Sequence, residues 1–324
     1  MSKPKISVNQ KALELVDKLI KNSDEYNVVV KNSKTGTTVI DAGIKTNGGF
    51  QAGKIITEIC LGGYGKVQIY PLQYDDLVLP SIFVHTNYPA ISTLGSQFAD
   101  WQIKQGDYSA IGSGPARALA RKNRELYEEI DYLDEADATV LVLETTSEPP
   151  ESVIEKVAED CGVSPNRLSL ILVPTTSIAG STQVSGRIVE TGLHKLSKVG
   201  LDPKQAINAF GSAPIAPVHP KFAVAMGRTN DAILYGGFAH YDVKSYNDDK
   251  LKQIVNNAPS STSKSYGQPF QQIFKSVNYD FYKIDPNLFA PAAVSTCNLD
   301  TGSFFRAGEI NIEILKRSIG LKKS

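Results

Sequence analysis

The chain has 324 residues, with 34 lysines and arginines against 34 aspartates and glutamates, so its formal net charge is +0. This balance, together with the lack of a long basic run, argues against nucleic acid or an anionic membrane as a partner. The length exceeds what one domain usually holds, and we therefore expect two domains.

The three cysteines, Cys60, Cys161 and Cys297, are isolated from one another in the sequence. An odd number without a Cys-x-x-Cys pair supports neither a disulfide framework nor a zinc ribbon. The N-terminus lacks the apolar stretch of a signal peptide, and no apolar run is long enough to cross a bilayer. These features predict a cytoplasmic protein with reduced cysteines.

In the first third of the chain, the spacing of apolar residues predicts helices that alternate with short strands. In chain order these elements are helix 12–20, strands 26–30 and 37–40, helix 52–60, strands 66–70 and 77–85, and helix 92–104. The glycine-rich segment Gly62–Gly65 lies between a helix and a strand, and we interpret it as a turn that uses positive φ.

The pattern of apolar residues in the middle of the chain predicts a strand–helix–strand unit. Apolar runs at 138–143 and 168–173 indicate buried strands, with a helix over 150–161 between them. This order is typical of parallel strand pairing. A loop of small residues at 175–186 then leads into another helix. The last predicted elements are a strand at 232–235, a polar surface excursion at 242–265 and a closing helix at 310–319.

These elements predict a mixed α/β (α+β) fold. The charged span 125–136 marks the expected domain change, with an N-terminal α/β domain over 1–130 and a C-terminal α/β domain over 131–324. Packing of the C-terminal segment back onto the first domain is the alternative that this division leaves open.

The segment Gly112–Ala120 has the pattern of a glycine loop that opens a helix. The free N–H groups at such a helix start, together with the positive end of the helix dipole, bind anions. The segment matches neither the phosphate loop nor the dinucleotide fingerprint. A tight turn before an alanine-rich helix is therefore the other interpretation.

The segment 185–196 carries an arginine and a glutamate three residues apart at the start of a predicted helix. At about 100° per residue, Arg187, Glu190 and His194 share one face, and the apolar residues fall on the opposite face. One interpretation is a solvated ion pair that stabilises its helix by roughly 0.2–0.5 kcal/mol. The position after a strand's carboxyl end favours a ligand site, because ligands of open α/β sheets bind there.

Other catalytic patterns are missing from the sequence. The four histidines, His85, His194, His219 and His240, form no His-Glu-x-x-His pattern, so we expect no catalytic metal. No Gly-x-Ser-x-Gly elbow supports a serine nucleophile.

At 112–117 and 185–196 the chain resembles the methenyltetrahydromethanopterin cyclohydrolase family, and the resemblance extends less sharply over most of the length. It implies hydrolysis of the cyclic methenyl group on a reduced pterin to the 5-formyl derivative, in methanogenesis or the oxidation of one-carbon units. It also implies a cofactor-free enzyme, assembled as a homotrimer of two-domain subunits with the substrate in the cleft between the domains.

The family's catalytic arginine and glutamate correspond to Arg187 and Glu190, which the resemblance makes the catalytic candidates here. Glu190 would be the general base for a water molecule, and Arg187 would orient the reacting groups. The candidate substrate-binding residues are Gly112, Ser113, Gly114, Arg117 and Glu144. Two other functions stay open, a phosphate-binding transferase that uses the Gly112–Pro115 loop and a non-catalytic pterin carrier.

Overall fold

The computed structural model describes residues 6–278, 280 and 283–321. These residues divide into two compact units. Unit 1 comprises residues 6–66 and 90–180, and unit 2 comprises residues 67–89 together with the described residues between 181 and 321. The chain forms two six-stranded mixed sheets together with α-helices, which confirms the predicted α/β (mixed α+β) class.

The described residues form these elements in chain order. The α-helices are α1 (Val8–Lys21), α2 (Phe50–Cys60), α3 (Ala116–Ala120), α4 (Arg124–Glu129), α5 (Glu151–Cys161), α6 (Ile178–Ser185), α7 (Ile188–Lys198), α8 (Phe222–Gly236), α9 (Asp248–Asn256), α10 (Phe270–Ser276) and α11 (Ile312–Ser318). The strands are β1 (Val29–Asn32), β2 (Thr38–Asp41), β3 (Gly65–Tyr74), β4 (Leu77–Thr86), β5 (Trp101–Gln105), β6 (Tyr108–Ser113), β7 (Thr139–Glu144), β8 (Leu168–Leu172), β9 (Ala206–Pro214), β10 (Phe238–Val243), β11 (Ala293–Asn298) and β12 (Phe304–Gly308). A π-helix covers Ala90–Gln97.

The sheet of unit 1 has the strand order β1-β2-β8-β7-β6-β5. Strands β2, β8 and β7 are parallel, which confirms the predicted pairing of the two apolar runs. Helix α5 packs on one face through Val153 and Val157. Helices α1 and α2 cover the other face, where Ala179 of α6 also packs. The chain therefore leaves β7 toward one face of the sheet and leaves β8 toward the other.

The sheet of unit 2 has the strand order β12-β11-β10-β9-β4-β3, with β10 and β11 parallel. Helix α7 packs closely on this sheet through Ile188, because a Cβ added at Gly211 of β9 would lie 3.1 Å from its side-chain carbons, and one added at Gly237, just before β10, would lie 2.5 Å from them. A separate cluster joins α8, α10 and α11 through residues that include Leu234, Phe270 and Ile314.

The predicted domain change near residue 130 lies inside unit 1, so the two units do not divide where the charge pattern suggested. The physical reason is strand pairing, since β7 joins β6 and β8 in the first sheet. Residues 67–89 instead supply β3 and β4 to the second sheet. The C-terminal helix α11 packs on these two strands, where Leu315 clusters with Tyr74 and Leu79.

Several element predictions are wrong. The predicted helix 92–104 is a π-helix that ends at Gln97, followed by strand β5, and the predicted strand 232–235 is the end of α8. The predicted loop 175–186 is mostly α6, and the surface excursion contains α9. The turn at Gly62 and Gly63 is confirmed, with φ of 65° and 75°. No α-helix in the described part of the chain combines the length and apolarity that crossing a bilayer requires.

Candidate active site

Arg187 and Glu190 lie at the junction of α6 and α7, in unit 2. Arg187 occupies the N-cap position of α7, with φ −82° and ψ 4°, and its carbonyl accepts from the Thr191 N–H at 2.8 Å. Helix α6 ends two residues earlier, at Ser185, and the Gly186 N–H donates to the Thr182 carbonyl at 3.0 Å. The two helices are thus nearly continuous, and Arg187 stands at the break between them.

Hydrogen bonds to strand β9 and the residues after it hold α6 in place. The Ser185 hydroxyl donates to the Pro214 carbonyl at 2.9 Å, and the Ser181 hydroxyl donates to the Ala216 carbonyl at 2.6 Å. Both acceptors lie in unit 2, as does the part of α6 that carries the two serines. The start of α7 is therefore fixed by the helix that precedes it.

Tyr241 of β10 holds α7 from the other side. Its hydroxyl donates to the Val189 carbonyl at 2.7 Å, in a position that is 0% exposed. Burial raises the pKa of Tyr241 well above its usual value, and the negative charge of Glu190 raises it further. The phenol therefore stays protonated and acts as a neutral donor beside the acidic group.

The Arg187–Glu190 pair is buried. Nη1 of Arg187 lies 3.9 Å from Oε2 of Glu190, and the side chains are only 10% and 7% exposed. The solvated ion-pair interpretation is therefore wrong. Nor does Arg187 stabilise the helix through its dipole, because a cation is disfavoured at a helix N-terminus, whereas Glu190 in the first turn is favoured.

The geometry of the pair suits a reaction that needs both a fixed charge and a proton acceptor. At 3.9 Å these two atoms attract each other but are too far apart for a direct hydrogen bond. A buried carboxylate held near a guanidinium can position a water molecule and accept its proton.

Gln183 of α6 is a residue that the sequence analysis missed. Its Oε1 accepts from Nη2 of Arg187 at 3.2 Å, and the residue is 1% exposed. The missed signal is the spacing of four residues to Arg187, which becomes informative only once 178–185 is known to be helical.

The Gly112–Pro115 loop differs from the open anion site that its pattern suggested. The Gly114 N–H donates to the Ser96 carbonyl at 2.9 Å, and the Arg117 N–H donates to the Gly114 carbonyl at 3.2 Å. The helix that follows, α3, has only five residues. Two of the N–H groups around this helix start are therefore engaged within the protein, and anion binding at the loop stays a prediction. Contact of Gly112, Ser113 and Gly114 with substrate stays a prediction.

Arg117 has interior partners in unit 1. Its side chain is 0% exposed, and its Nε donates to Oδ1 of Asp100 at 2.5 Å. Its Nη1 donates to the carbonyl of Leu94 at 3.0 Å, and the guanidinium lies over the ring of Phe98. These contacts support the fold of unit 1, and a role of Arg117 in substrate binding stays a prediction.

Glu144 is the last residue of β7, and its Oε1 accepts a hydrogen bond from the Thr175 hydroxyl. Thr175 follows β8, so the contact joins the carboxyl ends of two parallel strands from which the chain leaves toward opposite faces. Such a switch point is where open α/β sheets bind ligands. The half-buried carboxylate of Glu144 is therefore well placed for a ligand of unit 1.

Across the residues that the structure describes, no group of three or more His, Cys, Asp or Glu side chains lies close enough to hold a metal ion. Cys60 and Cys161 are buried and form no disulfide, and burial raises the pKa of the Cys161 thiol to about 12.

Comparison with known proteins gives one consistent result. The sequence profile of the cyclohydrolase (MCH) family matches residues 7–319. A protein of Methanocaldococcus jannaschii named methenyltetrahydromethanopterin cyclohydrolase is 46% identical over 97% of this chain and 98% of its own length. Proteins with the same name from Methanothermobacter marburgensis and Methylobacillus flagellatus are 47% and 45% identical, over 98% and 97% of this chain and 100% and 95% of their own lengths. The chain therefore belongs to the cyclohydrolase (MCH) family and is a cyclohydrolase.

Proposed function

We propose that this protein hydrolyses 5,10-methenyl-tetrahydromethanopterin to 5-formyl-tetrahydromethanopterin, in methanogenesis or the oxidation of one-carbon units. The observation that carries the proposal is the buried Arg187–Glu190 pair at the start of α7, with 3.9 Å between guanidinium and carboxylate. The names of the relatives, which match over nearly the whole chain, support the same substrate.

The electronic structure of the substrate means that few side chains are needed to catalyse its hydrolysis. The methenyl carbon bridges two nitrogens and shares their positive charge, so it is already electrophilic. The enzyme's task is to position a water molecule and take its proton. For this reason we propose an enzyme that works without a cofactor or a metal ion.

In the proposed mechanism, Glu190 accepts a proton from water as the water oxygen bonds to the methenyl carbon. A positioned general base typically contributes about 10²–10⁴-fold. The resulting adduct is a neutral carbinol. When its bond to the arylamine nitrogen breaks, Glu190 returns the proton to that nitrogen, and the carbinol O–H proton leaves to solvent. The balance is one cation and one water consumed, with one neutral formyl product and one proton formed.

Arg187 is assigned to orientation in this mechanism. A guanidinium near a carboxylate favours the ionised form, which makes the carboxylate a weaker base. What Arg187 contributes is a fixed position for Glu190 and for the water, because a fork of donors holds oxygen atoms in defined directions.

Glu144 is proposed to bind the substrate. The support is its position at the switch point of the unit 1 sheet, with one carboxylate oxygen held by Thr175. Gly112, Ser113, Gly114 and Arg117 remain proposed substrate-binding residues, with the support of the family resemblance at 112–117 only.

The direct test adds methenyl-tetrahydromethanopterin to the purified protein and follows the absorbance of the substrate together with proton release. We expect turnover with one proton released per substrate, unchanged after exhaustive chelation. Tight binding without turnover would indicate a pterin carrier instead. Activity that is lost on chelation and restored by zinc or magnesium would overturn the metal-free mechanism, and turnover that depends on a bound nucleotide would favour a phosphate-binding transferase.

A further inference from the structure

Gln183 presents a polar group that the fold leaves unsatisfied. The residue is 1% exposed, and its Nε2 has no hydrogen-bond partner among the described residues. A buried donor without a partner has lost its hydrogen bonds to water and gained none in return, so such a group in a natural protein calls for an explanation.

The orientation of this amide is fixed by chemistry. Arginine has only donors, so the atom of Gln183 that faces Nη2 of Arg187 at 3.2 Å must be the carbonyl oxygen. Rotating the amide by half a turn would place two donors against each other. The NH₂ group of Gln183 is therefore the end that stays available.

Gln183, Arg187 and Glu190 form a series along the junction of α6 and α7. Gln183 contacts Arg187 at 3.2 Å, and Arg187 lies 3.9 Å from Glu190. All three are at most 8% exposed as residues. The series thus contains a buried neutral donor, a fixed cation and a proton acceptor.

An attacking water molecule needs two kinds of partner. The base accepts one of its protons, and a donor to its oxygen fixes the direction of the remaining lone pair. A donor that meets the oxygen throughout the reaction also stabilises it in the adduct. Glu190 supplies the first of these, whereas the amide of Gln183 has the chemistry of the second.

We propose that Gln183 is a further catalytic residue of the hydrolysis, which holds Arg187 through Oε1 and donates from Nε2 to the oxygen of the attacking water. This inference rests on the proposed function, because it assigns the water on which Glu190 acts. It predicts that the amide has two separable tasks.

Two variants separate these tasks. Gln183→Glu keeps the length and an oxygen acceptor for Arg187 but lacks the N–H donor when ionised. Gln183→Met keeps the length and lacks both. If the donor acts on water, Gln183→Glu should lower kcat about 10- to 100-fold with little change in KM, and Gln183→Met should lower kcat at least as much. The ratio of kcat for Gln183→Glu to wild type should rise as pH falls, because a protonated carboxyl regains a donor.

Ser260→Ala provides a matched control. Ser260 is also fully buried in unit 2, and its hydroxyl donates to the Leu234 carbonyl at 2.5 Å, away from the α6–α7 junction. This variant should melt at a lower temperature than wild type and keep wild-type kcat. Melting temperatures of all variants show which of them are folded.

A wild-type kcat in folded Gln183→Glu, with a slow Gln183→Met, would overturn the proposal and leave Gln183 as a support for Arg187 only. Wild-type rates in both variants would overturn it as well. Failure of the wild-type protein to turn over the methenyl substrate is a different result, since it would contradict the proposed function itself.

Discussion

At the scale of a single residue, Glu190→Gln tests whether the glutamate of the buried pair acts as the general base. The change keeps size and some hydrogen bonding but removes the base, so we expect kcat to fall by about 10²-fold or more while substrate still binds. Arg187→Ala should also lower kcat. Because the two residues act on one water, the double variant should lose far less than the product of the single losses.

A solvent-exposed lysine–glutamate pair with the same three-residue spacing provides the control for this experiment. Lys11 and Glu14 of α1 have the same spacing, with Nζ and Oε2 2.6 Å apart, but their side chains are 45% and 63% exposed. Glu14→Gln should therefore leave the rate unchanged and alter stability by well under about 1 kcal/mol. Wild-type turnover in folded Glu190→Gln would contradict the proposed mechanism.

The buried carboxyl group of Asp231 should make the stability of the protein depend on pH, independently of catalysis. Burial raises the pKa of this carboxyl to about 7, although it accepts from the Phe270 N–H and the Ser318 hydroxyl. Between the unfolded pKa and about 7 the folded state holds a proton that the unfolded state has lost. The stabilising effect is therefore complete at acidic pH and is lost as pH rises through the folded value.

Asp231→Asn should flatten this dependence, because asparagine does not titrate. For wild type we expect the contribution of Asp231 to decline by on the order of 1 kcal/mol per pH unit between about pH 4 and 7. Denaturant unfolding of both proteins at several pH values measures the difference. A parallel decline in the two proteins would mean that other groups are responsible.

At the scale of elements, Gly192 allows helix α7 to pack closely on strand β10, because it has no side chain. A Cβ at this position would lie 2.2 Å from the hydroxyl oxygen of Tyr241 and 3.2 Å from the Cβ of Ala239. Gly192→Ala should therefore push α7 away from β10 and destabilise the protein by about 1–3 kcal/mol. Because the start of α7 carries Arg187 and Glu190, kcat should fall too.

The double variant Gly192→Ala/Tyr241→Phe tests the cause of that effect. Removing the Tyr241 hydroxyl frees the space that the new methyl group needs, so the double variant should recover part of the melting temperature lost in Gly192→Ala. Tyr241→Phe alone loses a buried hydrogen bond and should be less stable than wild type. Additive losses in the double variant would show that the hydroxyl is not the obstacle.

Elements with strong periodicity could be predicted from the sequence, whereas those held by tertiary contacts could not. The apolar runs of β7 and β8 were recognisable because parallel strands are buried on both faces. Helix α6 was missed because Gly180 and its serines are poor helix formers. Gly180 is required there by close packing, since a Cβ would lie 2.0 Å from the Pro174 carbonyl oxygen.

Dependence on tertiary contacts also limited what the sequence could predict about the candidate active site. The family resemblance named Arg187 and Glu190, but the amphipathic pattern placed them on a solvated face. The structure buries charged positions of α7 as well as apolar ones; Lys195 is 3% exposed, with Nζ donating to Oδ1 of Asn287 at 2.6 Å. A sequence pattern cannot show that a helix is covered on more than one side, because the covering residues lie far away in the chain.

At the scale of the whole molecule, one face of the unit 2 sheet carries aromatic rings. Phe210 stacks on His240 with 4.8 Å between ring centroids, and Phe304 stacks on the other side at 5.8 Å. Phe210 and Phe304 are nevertheless 37% and 62% exposed. Exposed apolar patches of this kind commonly mark contact surfaces.

We expect a second copy of this chain to cover that face in the homotrimer that the family resemblance implies. Six strands about 4.8 Å apart and about 20 Å long give one face of the sheet a flat area of roughly 600 Å², and the side chains that project from it add to this area. This approaches the roughly 800 Å² that each partner contributes to a stable interface. Light scattering of the wild-type protein should therefore give about three times the chain mass of 35.1 kDa.

Phe304→Asp tests both the assembly and the face. A charge placed in a desolvated contact is costly without a partner, so the variant should scatter light as a single chain or as a concentration-dependent mixture. Tyr246→Asp is the control, because Tyr246 is 101% exposed and lies outside the sheet. A wild-type mass of one chain would contradict the trimer, whereas a three-chain mass for both Phe304→Asp and Phe210→Asp would place the contact on another surface.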